Sequence, residues 1–499
     1  MRILITFILF FLFISIKAQS SFYKVYSSND YDFGEGIVQL NDSSYAVVGT
    51  SGGFGNSSQA FLMRIDKSGN YLWSKSYGGI EEDGAKRILS IDTTGYYLAG
   101  YTNSIGSGGY DFYFVRTDTL GNVIWEKSIG ESGWEQLSDA ILLKDSSFIF
   151  SGFSNSNTTG NNDQILGRMN FDGDLLWYDQ FGTTGDDQIK AIDKVSDSTF
   201  IAVGYSYLID SSATKAYIRK FDIDGNIVWE KTYGFSGNYF LNDVEVVDSF
   251  IYAVGKHWND TLYEFDAYSI QLDLDGEEFL SYSFYIQGYD SYDLILKYGE
   301  SDKFYVGKSI MNGVSTYPVG QDFDIVRMNQ YLNYDNSGFP FSNVGDDQGN
   351  QICKTLDGGA VMVGYNSAFN SGGSNVAVLK IGPNDEYPYT TGFQEINTLV
   401  GNSELEQNII DFKIYPNPFI LGKDNNLHLK ISSPYDTKKL IIYDASGNIL
   451  FTKNLNLIID KAQIDLSLLN LSSGLYFIEY KGSNEANNEA NVKLKLIVQ

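Results

Sequence analysis

Three observations predict an all-β fold, a seven-bladed β-propeller followed by a small Ig-like β-sandwich. Tryptophan recurs at Trp73, Trp125, Trp177 and Trp229, each 52 residues after the last. A glycine closes a short apolar run at Gly49, Gly100, Gly152, Gly204, Gly255, Gly307 and Gly364, at intervals of 51 to 57 residues, which makes seven copies. Each copy holds runs of strand length, rich in β-branched and aromatic residues and bounded by Gly, Asp, Asn or Ser, with no helical periodicity. Four strands per roughly 50 residues, repeated radially, is a propeller blade.

The second copy defines the unit: strand A at Ala85 to Ile91, strand B at Gly95 to Tyr101, strand C at Asp111 to Thr117 and strand D at residues 123 to 130. The turn between C and D has fixed chemistry in Asp66-x-x-Gly69, Asp118-x-x-Gly121 and Asp222-x-x-Gly225. Asp at the start of a tight turn bonds its own backbone and Gly supplies positive φ, so these aspartates read as turn-formers. The repeat tryptophans read as packing residues. Blade six is the weakest copy: Leu280 stands where a fifth tryptophan would, and the next strand D, near Gly338 to Val344, carries Pro340.

Ring closure rests on the N-terminal segment. No tryptophan strand follows the seventh strand C (Asn375 to Ile381), whereas Phe22-Tyr-Lys-Val-Tyr26 matches Trp73-Ser-Lys-Ser-Tyr77. Residues 22 to 26 are therefore expected to supply strand D of the last blade and leave no open edge at the seam.

Residues 1–18 have the pattern of a secretory signal peptide: Arg2, an apolar run from Ile3 to Ile16, then Lys17-Ala18-Gln19. No later segment is long enough to span a bilayer as a helix. The single cysteine, Cys353, excludes an intramolecular disulfide and reads as a small core residue. Residues 19–410 hold 23 basic and 53 acidic residues, whereas residues 411–499 hold ten Lys and nine acids. The negative charge thus belongs to the propeller and disfavours nucleic acid as a partner.

Residues 19–382 are assigned to the propeller, 383–410 to a linker and 411–499 to the sandwich, where about seven short strands are expected. Its markers are Tyr415-Pro416-Asn417-Pro418, the hairpin residues 442 to 450 around Gly447, residues 471 to 480 with Gly474 and Tyr476, and the terminal KLKLIVQ. In order and spacing these four pieces closely resemble the type A sorting domain of type IX secretion cargo. The resemblance implies export across the inner membrane by the signal peptide, passage of the outer membrane with the secretion machinery as partner, and usually removal of the domain, with the mature protein released or attached to surface lipopolysaccharide. The propeller repeats (residues 21 to 382) resemble pyrroloquinoline-quinone-type and related bacterial repeats, without quinone-site residues to carry over.

No P-loop, dinucleotide fingerprint, G-x-S-x-G motif or His/Cys zinc pattern is present. Of two histidines, His428 lies in the sorting module, and His257, beside Trp258, is expected in the B–C loop of blade five. The D–A connections are expected to be acidic, at Glu81 to Asp83, Glu135, Asp186 and Asp187, Asp243, Asp290, and Asp346 and Asp347. They share a face with the Gly/Ser/Asn-rich B–C loops, where binding residues tend to sit. Trp134 and Trp258, both off the repeat, are expected there as stacking aromatics. The candidate binding residues are Trp134, Trp258, His257, Asp186, Asp187, Asp346 and Asp347. No catalytic set and no cofactor is assigned; calcium is the ion that such carboxylates would suit. The expectation is a non-enzymatic extracellular binding or adhesion module for a glycan or protein. The rival is a secreted glycoside hydrolase or polysaccharide lyase using paired acids of that face.

Overall fold

The computed structural model describes residues 21–498 apart from residues 29, 55–56, 92–93, 159–160, 285–288, 299–302, 312–320, 334–338, 341–346, 368–372, 389–394, 398–410, 416–426, 433–436, 445–447, 456–460, 465–470 and 484–488. The signal-peptide segment, Asp346, Pro416, Asn417, Pro418 and Gly447 lie outside the described residues.

Seven antiparallel sheets follow the repeat. In blade 1 the strands are Asp32–Gln39, Tyr45–Ser51, Gln59–Ile65 and Tyr71–Tyr77. Blade 2 is Asp83–Ile91, Gly95–Thr102, Asp111–Thr117 and Val123–Ile129, the units expected from the sequence. Strand A of blades 3 to 7 starts at Glu135, Gln188, Tyr239, Tyr289 and Asp347 in turn. In blade 6, strand D is described only as Phe339–Pro340, paired to Ile325 and Asp324. Proline cannot donate to a ladder, which fits a short outer strand.

The N-terminal strand, Phe22–Ser27, is the fourth strand of blade 7 and runs antiparallel to Asn375–Ile381, from Phe22↔Lys380 to Tyr26↔Val376. The ring is thus latched by the two parts of the chain that bracket it. Within the segment expected as linker, Glu395–Asn397 adds a fifth strand, parallel to Phe22–Ser27.

The repeat glycines are explained by a bulge. Strand A shifts register opposite strand B between Gly34 and Gly36, Ala85 and Arg87, Leu137 and Asp139, Ile189 and Ala191, Leu241 and Asp243, and Gly349 and Gln351. At Gly49, Gly100, Gly152, Gly204, Gly255 and Gly364 a Cβ would collide with the strand-A carbonyl facing it. Only glycine allows this close approach.

The repeat tryptophans couple neighbouring blades. Gly121, Gly173, Gly225 and Gly276, each at positive φ in a C–D turn, lie under the indoles of Trp73, Trp125, Trp177 and Trp229 of the preceding blade. Trp177 and Trp229 also donate Nε1–H to the carbonyls of Ile223 and Leu274, at 3.0 and 3.1 Å. Phe22 covers Gly69 in the same way, so the latch strand hooks blade 1 as its sequence match to Trp73 implies.

The core lies between blades in aliphatic and aromatic clusters, for example Phe112, Phe114, Phe148 and Phe150 between blades 2 and 3. Burial on this scale is the main stabilising term in a chain without disulfides. Half-buried Cys353 packs against the blade 7–blade 1 cluster, and burial pushes its thiol up to about 12.

The C-terminal module has seven described strands in two antiparallel sheets, ordered Asp411–Tyr415, Leu427–Ser432, Lys461–Ile464 and Ile449–Leu455, Thr437–Asp444, Gly474–Ser483, Glu489–Val498. Tyr415 ends the first strand, opposite His428. Gly474 opens the long hairpin strand, and Tyr476 is buried and donates its hydroxyl to the Ser472 carbonyl.

Candidate functional site

The acids at the strand-A starts have a structural task. Asp32, Asp83, Glu135 and Asp187 each accept the backbone N–H four residues earlier, from Ser28, Gly79, Glu131 and Thr183, at 2.6 to 3.0 Å. Each also accepts a hydroxyl, for example Ser154 Oγ on Glu135 and Ser206 Oγ on Asp187. They are buried, and Asp347, which opens strand A opposite Asn366, is equally inaccessible. A buried acceptor bonded to several donors holds a tight loop in place. Asp187 and Asp347 are therefore inside the D–A corners, contrary to the expectation of an exposed acidic rim. Asp243 and Asp290 lie within strand A of blades 5 and 6 rather than in loops.

Asp186 is different. It is half-buried and holds Asn162 Nδ2–H at 2.7 Å and the Tyr205 hydroxyl at 3.0 Å. With Asn155, Asn161 and Asn162 it lines an open polar depression of about 560 Å³ between blades 3 and 4.

Asn155 links this depression to Trp134. Its Oδ1 accepts the Trp134 N–H at 2.7 Å, and its own N–H donates to the Trp134 carbonyl at 3.0 Å. The indole is 52% exposed. Its inner edge lies on Gly109, where a Cβ would collide with Cδ1, and Tyr110 meets it edge-on at 5.5 Å. Glu135 N–H to Tyr110 O and Gly109 N–H to Gly133 O tie the two supporting loops together. Tyr101 continues the row at 5.2 Å from Tyr110. Trp134 is thus a large aromatic face held open by rigid neighbours.

On the other side of Asp186 an aromatic row runs from Tyr205 to Phe240 at 4.9 Å, to Phe265 at 5.7 Å and to Trp258 at 5.0 Å. Lys256 Nζ lies over the Phe265 ring at 4.8 Å. Trp258 and His257 are in strand B of blade 5, Phe250–Asn259, not in a loop, because the B–C hairpin there is extended through Asn259↔Glu264. His257 stacks on Tyr239 at 4.7 Å, and burial lowers its pKa. Its Nδ1 has no hydrogen-bond partner among the described residues and stands 3.9 Å from Asp266 Oδ2. The structure therefore brings Trp134, Asp186 and Trp258 to one side of blades 2 to 5, places Asp187 and Asp347 beneath the surface, and leaves His257 half-buried against Tyr239.

A second set of carboxylates, of which the sequence singled out only Asp243 and that as a loop acid, lines the inner strands. Asp139 accepts Ile192 N–H and pairs with Arg87 at 2.7 Å; Asp193 accepts Val246 N–H and Asp243 accepts Ile295 N–H. Each bond crosses to the next blade. Burial first, then the neighbouring acids, pushes Asp193 up to about 6, Asp243 to about 7 and Glu245 to about 8. Among the described residues no three His, Cys, Asp or Glu side chains converge as a metal centre.

Residues 413–499 match the secretion system C-terminal sorting domain. No curated protein matches the chain. Among solved structures, the extracellular domain of a hybrid two component system from B. thetaiotaomicron is similar at 10% identity and TM-score 0.39, over 95% of this chain and 57% of that one. The chain thus spans little more than half of that protein. The β-propeller domain of the Trilobed protease from Pyrococcus furiosus is similar at 11% identity and TM-score 0.39, over 67% and 89% of the two chains. Polysaccharide lyase Uly1 is similar at 9% identity and TM-score 0.44, over 70% and 90%. At such scores nothing of their activities transfers to this chain. Among the described residues no helix is long and apolar enough to cross a membrane. What the chain does carry is a type IX secretion sorting domain behind a β-propeller, and it is exported to the cell surface or the extracellular space.

Proposed function

We propose that the propeller is a non-enzymatic extracellular binding module whose ligand is a glycan, taken on the side of blades 2 to 5 that carries Trp134. The observation that carries this is the pairing of a fixed, 52% exposed indole with an adjoining depression lined by three asparagines and Asp186. An indole face packs against the C–H face of a sugar ring, while amides and a carboxylate bond its hydroxyls; the indole is already held by Gly109, Tyr110 and Asn155, so little ordering entropy opposes binding to it. Asp83, Glu135, Asp187 and Asp347 are buried and committed to the corners, which argues against their serving as a hydrolytic carboxylate pair.

The test is a glycan array probed with the purified protein and with Trp134→Ala. Retained wild-type binding that is lost in the variant supports the proposal. Equal binding by both proteins rejects this site, and reducing or unsaturated ends accumulating on a bound polysaccharide reject the non-enzymatic reading.

A further inference from the structure

Each A strand has one bulged residue, and the seven A strands stand side by side around the axis. All seven bulged residues are polar, and most are joined to a neighbouring blade. Lys86 pairs with Glu35 at 2.6 Å. Asn242 donates Nδ2–H to Asp293 Oδ1 at 3.1 Å and to the Tyr292 carbonyl at 3.0 Å. Asn350 donates Nδ2–H to the Gly34 carbonyl at 2.8 Å. The two left over are adjacent, Ser138 of blade 3 and Lys190 of blade 4. Among the described residues Lys190 Nζ has one hydrogen bond, to Gln188 Oε1 at 3.1 Å, and no ion pair.

The surroundings of Lys190 are cationic. Burial first, then Lys256 of blade 5 and Lys86 of blade 2, push its ammonium down to about 8. Side chains of blades 2, 4 and 5 act on one another only where the inner strands converge. Lys86 has Glu35 to answer it, and Lys256 acts on Asp293. Asp186 makes no ion pair with Lys190 and is bridged to it by the Gln188 amide, whose Nε2–H donates to Asp186 Oδ1 at 3.4 Å. Lysines elsewhere that lack a carboxylate bond main-chain carbonyls instead, Lys215 those of Phe235 and Gly237, and Lys220 that of Leu274. Lys190 is half-buried with a single side-chain amide, and a cation so placed without a counter-charge is costly.

We propose that Lys190 receives an acidic group of the ligand, a carboxylate or sulfate carried by a sugar ring, so that the glycan taken on the Trp134 side is an anionic one. This rests on the glycan reading of that side and names its chemical class. The two places are continuous. Asn155 bonds Trp134 and lines the depression with Asn162 and Asp186; from Asp186 the Gln188 amide leads to the Lys190 ammonium. Three donors, from Asn162, Tyr205 and Gln188, already answer the Asp186 carboxylate, so it does not cancel Lys190. A sugar chain stacked on Trp134 and running across the depression towards the axis brings its acidic substituent to the ammonium, with Lys86 and Lys256 adding to the local positive potential. The propeller as a whole is acidic, so this local field also selects where on the wheel such a chain can settle.

The experiment is an array on which each acidic glycan stands beside its neutral partner, a uronan beside its carboxyl-reduced form and a sulfated glycan beside its desulfated form. It is probed at pH 7 with the wild type, Lys190→Gln and Trp134→Ala. The wild type should prefer an acidic member over its partner roughly 10-fold or more. Lys190→Gln should lose that preference and keep the neutral binding, whereas Trp134→Ala should weaken both. Lys190→Gln should melt no lower than the wild type, since it removes a repelled charge. Equal binding of the two partners by the wild type, or a preference that survives in Lys190→Gln, overturns the proposal and leaves the glycan reading standing. Absence of any glycan binding overturns both. Inorganic sulfate at constant ionic strength then separates the causes: a midpoint raised by roughly 1–2 °C more in the wild type than in Lys190→Gln supports an anion site at Lys190 and puts the fault in the glycan, and no difference between the two proteins rejects the anion site itself.

Discussion

Tyr26 donates its hydroxyl to the carbonyl oxygen of Gly69 at 2.7 Å, joining the latch strand of blade 7 to the C–D turn of blade 1. Tyr77 and Tyr233 make the same bond to Gly121 and Gly276, at 2.9 and 2.8 Å. The seam of the ring is therefore built like its other junctions. Tyr26→Phe is expected to lose about 1 kcal/mol of stability. Deleting residues 21–27 should replace a single unfolding transition by a broad or biphasic one in calorimetry, because strand C of blade 7 and blade 1 both lose a partner.

Gly152→Ala should destabilise by about 1–3 kcal/mol, because the added methyl collides with the Gln136 carbonyl across the bulge. Gly307→Ala is a useful contrast: its Cβ would meet the tip of the Phe323 ring at 2.5 Å and Leu294 Cβ at 3.1 Å, with no backbone carbonyl among its nearest contacts. Denaturant midpoints of the two variants should differ in that order.

Stability should be greater at pH 5.5 than at pH 8 when no divalent ion is added. Asp32 and Asp193 are held at about 6, Asp243 at about 7 and Glu245 at about 8, by burial in each case. The folded state thus holds these protons more tightly than the unfolded chain, in which carboxyls titrate near about 4. The contribution is complete below that pH and is lost as pH rises through 6 to 8. Asp243→Asn keeps an acceptor for Ile295 N–H while removing the charge, so its unfolding midpoint should vary less across this range than that of the wild type.

Trp134→Ala should weaken ligand binding roughly 10-fold or more while leaving the unfolding midpoint nearly unchanged, since half of the ring faces solvent. Trp258→Ala should cost stability as well, because its ring packs edge-on against Phe265 at 5.0 Å. Paired melting and binding curves separate the two effects.

The blades were legible because Trp73, Gly100 and their repeats are dictated by one local geometry each, a turn to cover and a bulge to pass. The latch was legible because Phe22 and Tyr26 fill the places of Trp73 and Tyr77. The corner acids misled because Gly-Asp-Asp at 185 to 187 gives no sign that Asp186 points to the surface while Asp187 folds back on Thr183; that depends on where strand A begins. His257 and Trp258 sit in a hairpin whose polar residues read as loop, and only the pairing to Asp266 and Phe265 shows them as strand. Asn155 was legible only as part of an Asn-rich B–C loop, since its own importance comes from bonding Trp134 across 21 residues.

The placement of Phe22–Ser27 also governs how the wheel answers a mechanical load. The sorting domain follows strand C of blade 7, so traction on that tail meets the wheel first at Glu395–Asn397, bonded to Phe22–Ser27, and, once that short outer strand lets go, near Ile381. Asn375–Ile381 is bonded along its length to Ala360–Asn366 on one side and Phe22–Ser27 on the other. A pull along this strand must shear two ladders at once instead of peeling bonds off an edge one by one, and the wheel resists being unravelled by the appendage that carries it out of the cell.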